Sequence, residues 1–115
     1  MNKTRKSYGV PLEEILVRRW KDPKHARIAV EIAVEEFEKD NNLAALLNIL
    51  RLVAQAQGGL AKLARKASVS RQALYEALSS NGNPRLRAFK DVIESLGLRI
   101  SIEPLKPRAK LTRTV

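Results

Sequence analysis

The 115-residue chain has no cysteine, so it can form neither disulfides nor thiolate metal sites, and a reducing cytoplasm is its expected location. A single histidine, His25, leaves no paired-histidine or histidine–cysteine constellation for a metal or a nucleophile. Its five glycines make no phosphate-cradling loop, and aromatics are only 4% of the residues. No stretch approaches the roughly 20 apolar residues of a membrane span, and the charged N-terminus is not followed by the apolar run of a signal peptide. Serines have no titratable partner in any motif. Adjacent acids such as Glu13 with Glu14 and Glu35 with Glu36 point to different azimuths on a helix and pair more readily with nearby bases. Neither catalysis nor a cofactor is expected.

What is present is a 44% share of apolar residues drawn from Leu, Ile, Val and Ala, which favours packed helices in one domain. Charge is lopsided. Lys and Arg number 22 against 12 Asp and Glu, a net of +10, yet residues 11–50 hold eight acids and six bases. The basic excess therefore lies elsewhere, where it attracts phosphate backbones and makes binding salt-dependent. A helical adaptor whose basic charge is incidental is a weaker reading.

The stretch Leu60 to Leu78 reads as two short helices and a tight turn. Leu60, Leu63, Ala64 and Ala67 recur at helical spacing, with Lys62, Arg65 and Lys66 off that face. Ser70 is a natural N-cap, and Leu74, Ala77 and Leu78 turn inward on the second helix. Arg71, Gln72, Tyr75 and Glu76 are left outward, as in a helix-turn-helix that docks on DNA. In the major groove Arg71 suits a bidentate contact with guanine, Gln72 one with adenine, and Glu76 can accept from cytosine. Ser70, Tyr75, Asn81, Asn83 and Arg85 are expected on phosphates, setting register, with Lys62 and Arg65 adding to the DNA-binding set.

Around this motif, residues 1–10 are polar, basic and expected to be loose. Residues 11–40 carry a helical pair. Pro11 opens the first helix, with Leu12, Ile15 and Leu16 as its inner face and Trp20 as its anchor; Asp22 and Pro23 start the second. On that second helix Ala26, Ala29, Val30, Ala33, Val34 and Phe37 share one face, but Ile28 and Ile32 fall near the other side. They either pack on the first helix or form a partner-binding surface. Residues 41–97 form the domain that holds the motif, built on an apolar post from Leu43 to Ala56 that Gly58 and Gly59 end. Asn81 and Gly82 are expected to turn with positive φ, and Asn83 and Pro84 to cap and open a last helix that ends at Gly97. Leu98 to Glu103 alternates like a strand, with Leu98, Ile100 and Ile102 on one side. A lone strand needs a partner, most simply a second copy in a homodimer, although another protein could supply it; otherwise the segment is an extended tail lying on its own core. Residues 104–115, with four bases and no acid, read as a flexible basic tail. Whether 11–40 is a separate subdomain stays open.

Ala64, Val69 and Leu74 stand where phage-repressor-type helix-turn-helix proteins place one small and two apolar residues. Ser68 occupies the turn position usually held by glycine, where the left-handed conformation costs a serine about 1 kcal/mol more. With Ala56-Gln57-Gly58, Ser70 to Tyr75, Asn81 to Pro84 and Leu96 to Arg99, the chain resembles the HigA-like antidote (antitoxin) proteins of addiction modules over roughly residues 19–104. That resemblance implies an all-α bundle of five to six helices containing a lambda-repressor-like helix-turn-helix, with a short C-terminal β-strand. It also implies a protein that neutralises a RelE-like toxin and, as a dimer on palindromic double-stranded DNA, represses its own operon. A stand-alone phage-type regulator without a toxin partner is the alternative.

Overall fold

A computed structural model describes residues 11–79 and 81–105. The loose N-terminus expected over 1–10 and most of the basic tail lie outside them. Six α-helices follow one another: α1 (Leu12–Arg19), α2 (Pro23–Asp40), α3 (Leu43–Ala56), α4 (Leu60–Ala67), α5 (Arg71–Ala77) and α6 (Leu86–Ser95). The expected all-α class is what forms, and among the described residues there is no strand.

Local chemistry sets most of the boundaries. The Asp22 carboxylate accepts from the Lys24 N–H at 2.9 Å, and Pro23 fills the first helical position of α2, where its missing N–H costs nothing. Asn41, at φ 56°, takes the left-handed step that ends α2, and the Asn42 side chain then caps α3 by accepting from Ala45 N–H at 3.1 Å. Gly58 and Gly59 have φ of 116° and 94°, closed to side-chain-bearing residues, and let α4 leave α3 at 99°.

α3 is the post of the bundle. Leu47, Leu50 and Val53 are fully shielded, and α1, α2 and α4 all pack on it. α5 and α6 in turn pack on α4. Trp20, just past α1, is buried, and its carbonyl accepts from the Gln57 side chain at 2.7 Å, tying the N-terminal pair to the far end of α3. The N-terminal helices thus share a core with the rest.

Three expectations about the helices and turns are corrected. On α1 only Leu16 and Val17 are half-buried, while Leu12 and Ile15 stay exposed, because α1 packs mainly on α3 along a narrow stripe. Gly82 does not adopt positive φ. It is small because a Cβ there would overlap the Ala77 carbonyl oxygen. Finally, α6 begins at Leu86, with Arg85 extended at φ −69° and ψ 158° as its N-cap. A proline's fixed φ is not confined to a helix's first turn, and Pro84 stands before the cap, outside the helix.

α6 closes as expected. Gly97, at φ 85°, lets Gly97 N–H reach Glu94 O at 3.0 Å and Leu98 N–H reach Ile93 O at 3.1 Å, the paired bonds of a Schellman end. Leu98 then packs on the core, while Ile100, Ile102 and Leu105 run on exposed. The strand expected over 98–103 is not formed in the single chain, which offers it no edge to pair with.

Candidate nucleic-acid interface

The turn between α4 and α5 is a second Schellman end. Ser68 takes φ 58° and ψ 41°, its N–H bonds Arg65 O at 3.3 Å, and the next N–H, of Val69, reaches back to Ala64 O at 3.0 Å. The serine therefore accepts the left-handed conformation anticipated for it. Ser70 follows in extended conformation, and its Oγ accepts from Ala73 N–H at 3.0 Å. That bond satisfies one of the free donors at the start of α5 and leaves the hydroxyl proton able to donate outward.

α5 has seven residues, too few to be stable alone, so packing must hold it. Leu74 and Leu78 supply that packing, at 2% and 1% exposure. Arg51 on α3 supplies a second hold. Its guanidinium donates to Leu78 O at 2.7 Å and to Asn48 Oδ1 at 2.6 Å, placing a cation at the C-terminal end of α5, where the helix dipole favours one. Sequence periodicity gives no signal for Arg51, because its partner lies 27 residues away. Gly82 adds a third constraint, bringing the following loop against the last turn of α5.

The opposite edge is open. Arg71, Gln72, Tyr75 and Glu76 are all exposed, with Tyr75 at 54%. Gln72 Nε2 donates to Glu76 Oε2 at 2.9 Å, one turn along the helix. This bond orients the amide while leaving its oxygen and one N–H free, the two groups a bidentate contact with a base edge requires. Asn81, Asn83 and Arg85 are exposed on the segment that leads from α5 to α6, and Arg65 is exposed on α4.

Lys62 faces elsewhere. With Arg27, Lys66 and Arg87 it borders a polar groove of about 770 Å³ between the start of α2, α4 and α6, which also holds Asp91 and Glu94. Lys66 lies off the buried face of α4, as its spacing implies, and the four-residue step from Lys62 pairs the two; Arg27, on α2, has no such signal in the sequence. Among the described residues no three His, Asp or Glu side chains group to hold a metal ion. His25 is exposed, with Nδ1 3.7 Å from Asp22 Oδ2.

A second surface lies on the N-terminal pair. Ile28 and Ile32 are 51% and 52% exposed, so they do not pack away against α1. With Trp20, Phe37 and Ile49 they line an apolar groove of about 420 Å³, rimmed by Arg19, His25, Glu36 and Asp40. No helix among the described residues is long and apolar enough to cross a membrane.

These features define a small all-helical protein that carries one exposed polar edge and one apolar groove. A family model described as probable addiction module antidote protein matches residues 25–104, and the chain belongs to that family. A protein of Haemophilus influenzae described as uncharacterised is 30% identical over 74 residues, which cover 64% of this chain and 75% of the relative. No solved structure matches the chain.

Proposed function

We propose that the chain is a cytoplasmic, DNA-binding antitoxin of a type II toxin–antitoxin module, a binding protein rather than an enzyme. In this reading α4 and α5 are a helix-turn-helix of the phage-repressor type, the scaffold of a HigA-like antidote. A homodimer sets two copies of α5 into major grooves of a palindromic operator about 34 Å apart and represses its own operon. Arg71 and Gln72 read bases and Glu76 accepts from cytosine, while Ser70, Tyr75, Asn81, Asn83, Arg85 and Arg65 contact phosphates; Lys62, turned into the neighbouring groove, adds long-range attraction to the DNA rather than a direct contact. The dimer contact is the 98–103 segment, where Ile100 and Ile102 stand exposed and unpaired. Family membership supports a toxin as partner, here a RelE-like ribonuclease, with Ile28 and Ile32 as its anchor.

The observation that carries the DNA part is the α5 edge: four polar side chains directed outward from a helix whose other face, Leu74 and Leu78, is sealed in the core. Two experiments test the halves separately. A titration with duplex DNA from upstream of the gene tests the reading edge, and co-expression with the adjacent reading frame tests the antidote. Rescue of growth from that neighbour's toxicity is the expected result. Failure of rescue with operator binding intact would favour a stand-alone regulator.

A further inference from the structure

The outer half of α2 is an acidic island in a basic protein. From Glu31 to Asp40, five residues are acidic and one is basic, against a whole-chain charge of +10. All five acids are exposed. Only Glu36 among them has an ion-pair partner among the described residues, Lys39 Nζ at 3.6 Å, which leaves a strong negative excess. The apolar groove opens along the same helix. Ile28 and Ile32 form its lip, Ala33 and Leu46 are buried within it, and Glu36 and Asp40 stand on its rim. Surface charges serving only solubility have no reason to surround two half-exposed isoleucines, whereas an interface needs both an apolar anchor and a charged frame.

We infer that this face is the docking surface for the toxin, and that it takes the toxin by its cationic, RNA-binding side. The inference rests on the antitoxin reading above. A ribonuclease must hold a polyanion, so its working surface is positively charged. The acids of α2 offer that surface the charge that RNA would offer, and the isoleucines add apolar contact that RNA cannot. Neutralisation is then competition for the substrate-binding face. Charge steering speeds the encounter and weakens with salt; the groove sets how long the complex lasts. None of the groove's lining residues belongs to α4, α5 or α6, so the toxin and DNA surfaces are carried by separate elements.

The test uses the full chain and the purified product of the adjacent reading frame as probe, with affinity measured at low and high salt. Two double variants are compared, Ile28→Ser with Ile32→Ser and Glu35→Lys with Glu36→Lys; all four residues are exposed, so both should keep the wild-type circular dichroism spectrum, and the first, which leaves the charge unchanged, also the operator affinity. We expect the first to weaken toxin binding at least 100-fold at either salt concentration, and the second at least 10-fold, mostly at low salt. A single-stranded RNA oligonucleotide should displace the wild-type chain from the toxin. Wild-type affinity in both variants would overturn the docking surface and leave the antitoxin reading standing. Absence of binding by the wild-type chain would overturn the antitoxin reading itself. If the variants bind the toxin normally but lose self-association, the groove belongs to a second copy and the inference fails.

Discussion

Arg51→Met isolates the hold that α3 exerts on α5. Methionine keeps much of the arginine stem's apolar packing, but removes both donors and leaves the Leu78 carbonyl without its cation. A hydrogen bond to a charged group contributes about 1.5–3 kcal/mol, and a cation at a helix C-terminus roughly 0.3–1 kcal/mol. Arg51 is half-buried, so solvent screens part of both, and a net loss of about 2 kcal/mol is expected. For a domain of this size that lowers Tm by about 8 °C, with the denaturant m-value unchanged. Arg51→Lys should fall between the two, because one ammonium reaches the carbonyl but cannot also keep the planar contact with Asn48. Thermal and urea unfolding followed by circular dichroism measure it. A loss below about 0.5 kcal/mol, the range of ordinary surface substitutions, would show that α5 is held by Leu74 and Leu78 alone and would refute the role given to Arg51.

Ser68→Gly should stabilise the protein by about 1 kcal/mol in the same unfolding assay, because glycine enters the left-handed turn without strain; destabilisation would contradict the turn geometry. Gly82→Ala should cost about 1–3 kcal/mol, since the added methyl meets the backbone of Ala77 rather than a side chain able to move. Ser70→Ala should cost about 1 kcal/mol through the lost cap, and Ser70→Asp should restore it. The aspartate should nevertheless weaken duplex binding by placing a negative charge where a phosphate is expected, so stability and affinity separate in one variant.

The helix boundaries most legible in the sequence are those set by neighbours a few residues apart. Asp22 before Pro23, Asn42 and Ser70 act through bonds spanning two to three residues, and each stands where its residue type implies; Ser68 takes the left-handed turn that its place in the motif, not its type, calls for. The outward edge of α5 was legible for a related reason: Leu74 and Leu78 lie four residues apart on one face, which leaves Arg71, Gln72, Tyr75 and Glu76 to solvent. What escaped depends on partners distant in the chain. Leu12 and Ile15 have the spacing of a buried stripe, but burial requires a second element over them. Arg51 looks like any helix-surface base until Leu78 is brought beside it. Asn83 with Pro84 is a sound helix start locally, yet the helix begins only after Arg85, which is extended. Ile28 and Ile32 could be identified as misplaced apolar residues, but not as the lip of a groove, because Phe37, Leu46 and Ile49 complete it only once α2 lies on α3.

The reading edge itself is tested most directly by competition between duplex from upstream of the gene and a scrambled duplex of equal length, for the wild-type chain and for Arg71→Ala. The wild type should prefer its own duplex, with affinity for both falling as salt rises. Arg71→Ala should keep the salt-dependent, unspecific part and lose about 10- to 100-fold of the preference, the discrimination one bidentate base contact provides. A wild-type chain with no affinity for duplex DNA at low salt, or an Arg71→Ala variant with its preference intact, would contradict the account.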